Sequence, residues 1–165
     1  MSRPILKIEL TRGDWIVEAV AIFVLIGTVV YLIMNYPDLP EKIATHYNIN
    51  GKVNATGSKM MLWIPVGIAI FLYGLITVAS RFPHRFNYLV PITEDNARHQ
   101  YSLSLKMMRF LKLVLVLIFA YLTYITIAQS KGGHAGLGVW FLPATIISIF
   151  TILISYLIKS SKKQP

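Results

Sequence analysis

Residues 36–59 read YPDLPEKIATHYNINGKVNATGSK, a polar stretch held between two long apolar runs. Pro37 and Pro40 lock φ and withhold a donor, whereas Gly51 and Gly57 open positive φ at little steric cost. Between and beside them lie Thr45, His46, Asn48, Asn50, Asn54, Ser58 and Lys59. Such punctuation predicts a compact polar module fixed at both ends by membrane segments, not an arbitrary connector.

The flanking runs, 15–34 and 61–79, have counterparts at 110–128 and 137–158. Each is about as long as the roughly 17–25 residues a membrane-spanning helix needs, with almost no charge inside. The expected fold is therefore all-α, an integral membrane protein with four transmembrane helices. Composition agrees: of 165 residues, 55% are hydrophobic and 14% charged, against roughly 25% charged in soluble domains. The basic start with Arg3, Lys7 and Arg12 suggests a signal peptide. However, the run that follows exceeds an h-region of roughly 7–15 residues and carries no small-residue cleavage site. It reads as an uncleaved first span. Trp15, Trp63, Trp140, Tyr31, Tyr36 and Tyr156 lie near span ends, as interfacial anchors do.

Orientation follows from the basic residues. Arg3, Lys7, Arg12, Arg81, Arg85, Arg98, Lys106, Arg109, Lys112, Lys159, Lys162 and Lys163 fall on one side, and only Lys42, Lys52, Lys59 and Lys131 on the other. The positive-inside rule then places both termini and the second loop in the cytoplasm, with 36–59 facing outward. The formal charge of +9 fits cytoplasmic flanks beside anionic lipid. No basic–aromatic module supports nucleic acid as a partner. With no cysteine there is no disulfide framework, thiolate site or cysteine nucleophile.

The chain divides into a first hairpin of spans at 1–80 and a basic loop plus second hairpin of spans at 81–165. Within 81–109, Thr93 followed by Glu94 and Asp95 marks a capped helix start that continues unbroken into the third span. At about 100° per residue, Arg98, Lys106, Arg109 and Lys112 share an arc of roughly 120°. They form a stripe expected to face anionic headgroups. Residues 129–136, QSKGGHAG, read as a flexible turn. Pro65 and Pro143 fall near the starts of spans two and four, where proline is tolerated.

His46 is the most suggestive single residue, since imidazole ligates metals and titrates near neutral pH. Further ligands available to it are Asp38, Glu41 and His134, but no paired-histidine spacing fixes two ligands on one helix face. A hydrogen-bonded structural histidine is expected instead, with no metal and no cofactor. Glu18, four residues after Asp14, is expected at the interface, reaching headgroup water or an arginine such as Arg81. Ser58-Lys59 resembles a catalytic dyad only superficially, because a hydrated lysine stays protonated. No nucleophile elbow, phosphate loop or dinucleotide fingerprint supports an enzyme.

Leu39-Pro40, Ile43-Ala44-Thr45-His46-Tyr47-Asn48, Gly51, Asn54 and Ser58-Lys59 together resemble the L-P-x-x-I-P-T-H-F-N-x-x-G-x-x-D-x-x-x-S-K signature of the bacterial family called domain of unknown function 1648. That domain forms the N-terminal part of SdpI-type membrane immunity and signalling proteins. Ala44 replaces a proline of the pattern and Asn54 an acid, which weakens a cation site in the loop. The resemblance implies a multi-pass protein of the bacterial inner membrane with an outward recognition loop. Pro40, Thr45, His46, Asn48, Gly51, Asn54, Ser58 and Lys59 would then carry contacts to a toxic peptide or a membrane-protein partner. The alternative is a structural or accessory subunit of a larger membrane complex, with Gly67, Gly74 and Ala79 supporting helix association.

Overall fold

The computed structural model describes residues 3–133 and 136–161; His134, Lys162 and Lys163 lie outside the described residues. Helix α1 spans Arg12–Asn35, strands β1 and β2 span Lys42–Tyr47 and Val53–Ser58, and helices α2, α3 and α4 span Trp63–Ala79, Glu94–Ser130 and Phe141–Ser161. Among the described residues, four helices are long and apolar enough to cross a membrane, with mean hydropathies of 2.2 to 2.6 in their best windows. The chain is a multi-pass membrane protein.

Local signals set the helix ends. The Thr11 hydroxyl accepts from the Asp14 amide at 3.2 Å, and the Asp14 carboxylate accepts from the Thr11 amide at 2.9 Å. This reciprocal capping box satisfies two amides that the first turn leaves unpaired. Thr93 and Asn96 repeat the arrangement at the start of α3. With 37 residues, α3 is about 55 Å long, well beyond a hydrocarbon core of about 30 Å. Its first turns therefore project from the membrane, as the uninterrupted run from Thr93 predicts. At its other end Gly132 takes φ 93° and the Gly133 amide donates to the Ala128 carbonyl at 3.0 Å, closing the helix.

Helix α3 is the central element: α1, α2 and α4 all pack on it, and α1 and α2 touch each other much less. Leu25, Ala69 and Val116 join the three helices mid-span. A second cluster, Leu32, Leu39, Ile43, Leu62, Val66 and Ile127, ties the upper ends of α1, α2 and α3 to the polar module. The outer faces keep large apolar side chains exposed, among them Phe23, Phe71 and Phe150, as a surface bathed in lipid requires.

Two local features differ from the sequence reading. The polar module is an antiparallel β-hairpin, β1 paired with β2, so the helical bundle carries one small sheet. Leu137 belongs to the loop before α4, which begins at Phe141. Its amide donates to the Gly51 carbonyl at 2.9 Å, and its own carbonyl accepts from the Tyr121 hydroxyl at 3.1 Å. These bonds fasten Leu137, just after the glycine-rich turn 129–136, to the hairpin tip and to α3.

Candidate functional site

Two polar assemblies stand out, one at each end of the bundle. The first is the hairpin. Leu39 and Ile43 are buried beneath it, and the Tyr47 hydroxyl donates to Gln129 Oε1 at 3.2 Å and shares a 3.0 Å hydrogen bond with the Thr126 hydroxyl. Burial pushes the Tyr47 phenol pKa up, while the Thr126 bond pulls it down. At the tip, Asn48 Oδ1 accepts from the amides of Asn50 and Lys52 at 3.0 and 2.9 Å, shaping the turn. Gly51 follows at φ 72°, and a Cβ there would lie 2.7 Å from the Gly138 backbone nitrogen and oxygen. Glycine is required on both counts.

At the base, the Lys59 ammonium pairs with Glu41 at 3.0 Å, reaches the Leu39 carbonyl at 3.4 Å and lies 5.4 Å from the centre of the Tyr36 ring. The Ser58 hydroxyl accepts from the Met60 amide at 3.3 Å, and Pro40 sits exposed between Leu39 and Glu41. Thr45 is the extra residue in β1 where the ladder slips between Ala44 and His46, and Asn54 has no register partner in β2. That double irregularity brings His46 Nδ1 and Asn54 Oδ1 together in an exposed side-chain hydrogen bond. Asn48, Gly51, Ser58 and Lys59 are thus occupied in building the hairpin, and His46 with Asn54 forms its free polar face. Asp38 pairs with Lys131 at 3.5 Å and Glu41 with Lys59. Among the described residues no three His, Asp or Glu side chains converge.

The second assembly lies at the opposite end, between α1, α2 and α3. Asp14 and Glu18, one turn apart on α1, face Arg109 and Lys112 on α3. Arg109 reaches Asp14 at 2.9 Å and Glu18 at 3.9 Å, and Lys112 binds Glu18 at 2.6 Å. Helix α2 adds the Thr77 hydroxyl, 3.0 Å from the Lys112 ammonium, and the Tyr73 hydroxyl, which donates to Glu18 at 3.3 Å. The Lys112 ammonium also lies 4.4 Å from the centre of the Tyr73 ring.

This geometry corrects the basic stripe. Arg98 and Lys106 are exposed, whereas Arg109 and Lys112 are buried and face acids, not headgroups. The arc is real, but Arg98 lies about 16 Å along the axis from Arg109, beside the projecting end of α3. Deeper in, an unpaired cation would be costly, and the α1 carboxylates take the two inner ones. Arg81 does not pair with Glu18. Tyr73 and Thr77 carried no sequence signal. The usable clue to the rest was spacing: acids four apart at the start of one span and bases three apart near the start of another.

The hairpin and its flanking helices coincide with a known family. Residues 23–70 match the family model described as Domain of unknown function (DUF1648). The DUF1648 segment therefore runs from within α1, through the whole hairpin, into α2, and stops short of the α3 charges. No curated protein and no solved structure matches the chain.

Proposed function

We propose that the chain sits in the bacterial cell membrane with both termini in the cytoplasm, and that its hairpin is an outward recognition element of SdpI-like immunity or signal sensing. The observation that carries this reading is the preformed hairpin: apolar contacts underneath, Tyr47 bonded to α3, and Gly51 bonded to the loop before α4. A rigid surface loses little conformational entropy on binding, and the His46–Asn54 face is left for a partner such as a toxic peptide. The role is binding, with no catalytic step. Cells expressing the chain are challenged with a panel of membrane-permeabilising peptides. Protection that falls in His46→Ala at unchanged membrane levels supports the reading, and full protection by that variant refutes the assignment of His46.

A second reading, an accessory subunit of a membrane complex, draws on α4. This helix packs on α3 with no residue of its most apolar window buried. Gly67 and Gly74 of α2 likewise leave open space, with nothing within 4 Å of where a Cβ would stand. Co-purification of a stoichiometric membrane protein would favour it.

A further inference from the structure

Beside the α1–α3 charge cluster, residues of α1, α2 and α3 line an open cleft of about 810 Å³, within the roughly 300–1,000 Å³ of small-molecule sites. The segment before α1 contributes Leu6, Lys7 and Leu10 to its lining, and the loop after α2 contributes Arg81. We propose that this cleft binds one phospholipid bearing an anionic headgroup, taken from the surrounding bilayer.

Charge decides the headgroup. Glu18, Arg109 and Lys112 line the cleft. Glu18 matches Lys112 and Asp14, outside the lining, matches Arg109, so the cluster is neutral overall. The exposed part of the lining is not neutral: Lys7 and Arg81 are exposed and have no acidic partner among the described residues. Two exposed cations in the lining of a largely apolar cleft complement a phosphate-bearing headgroup with a buried acyl chain. The walls decide the source. Trp15 and Ile22 line the cleft and are themselves 62% and 44% exposed, so the cleft opens toward lipid and an acyl chain enters sideways. The site lies at the opposite end from the hairpin and stands whether or not the hairpin recognises a peptide.

Full-length protein in detergent is titrated with phosphatidylglycerol and with phosphatidylcholine, and bound lipid is counted by native mass spectrometry. The phosphatidylglycerol complex should be the tighter. A surface cation is worth about fivefold, so Lys7→Gln with Arg81→Gln should weaken phosphatidylglycerol about 30-fold and leave phosphatidylcholine nearly unchanged. Ala19→Phe, which fills the cleft wall without altering charge, should reduce both lipids. Lys106→Gln with Lys159→Gln, between α3 and α4, should change neither. Equal affinity of the wild type for the two lipids overturns the proposal. So does an equal loss in the Lys106/Lys159 control, unaltered binding by Ala19→Phe, or displacement of the lipid by millimolar inorganic phosphate.

Discussion

Replacing Lys112 by methionine tests whether the α1–α3 pairs hold the bundle together. The substitution keeps the apolar stem and removes the cation that meets Glu18 at 2.6 Å and Thr77 at 3.0 Å. Breaking a fully buried ion pair by deleting one partner costs about 3–5 kcal/mol. Glu18, however, has a side chain 22% exposed at the edge of an open cleft and keeps the Tyr73 hydroxyl at 3.3 Å. Water and that bond recover part of the loss, so about 2 kcal/mol is expected for Lys112→Met. Glu18→Gln strands the more deeply buried partner, Lys112, at 3% exposure, and should cost more, about 3 kcal/mol. The double variant leaves no charge unpaired within this couple and should cost about 2 kcal/mol, giving a coupling of about 3 kcal/mol. Unfolding of the four proteins in mixed micelles, titrated with denaturing detergent and followed by tryptophan fluorescence, measures the cycle. Additivity within about 0.5 kcal/mol would refute the pairing.

Gly51→Ala should loosen the hairpin tip by about 2 kcal/mol, since it adds positive-φ strain to a methyl 2.7 Å from the Gly138 backbone. Faster exchange of the Leu137 amide would report it; unchanged exchange would count against the docking bond. Tyr47→Phe removes the bonds to Gln129 and Thr126 and should cost about 1 kcal/mol in the same unfolding assay. Tyr88, in the loop before α3, has its phenol pushed up to about 12 by burial from an ordinary 10.0, with the Ser104 bond acting the other way. Folding favours the neutral phenol, so its contribution holds below pH 10 and is lost as pH rises from 10 toward 12. Spectrophotometric titration should show a late-ionising tyrosine that disappears in Tyr88→Phe. Asn54→Cys, in a chain without native cysteine, should react with an impermeant maleimide on intact cells. Reaction only after lysis would reverse the proposed orientation.

The four spans and the capped start of α3 were legible because both are local. Apolar length is read residue by residue, and Thr93 makes its capping bonds within three positions. The hairpin was less so. Its strands show Ile43 as their single fully buried side chain, too few to produce a clear alternation. The slips at Thr45 and Asn54 then break the two-residue period. The prolines and Gly51 marked where the chain bends but not that the segments between them pair.

The charge cluster shows a different limit. A helical projection of α3 placed Arg109 and Lys112 on one stripe with Arg98 and Lys106, and it carries no information about which edge meets another helix. That is decided by Asp14 and Glu18, more than ninety residues away in sequence, through distances of 2.9 and 2.6 Å. In a bilayer the decision is one-sided. Turning Lys112 outward would leave it without a partner in a low-dielectric medium, and Glu18 with the Tyr73 hydroxyl but no cation from Lys112. Turning it inward pairs the two charges and adds the Thr77 hydroxyl to the ammonium. The rotation of α3 about its own axis is therefore set by four charges from two helices. The same rotation presents Thr126 and Gln129 to Tyr47 of the hairpin at the other end, so the charge pairs and the hairpin support impose one consistent register on the central helix.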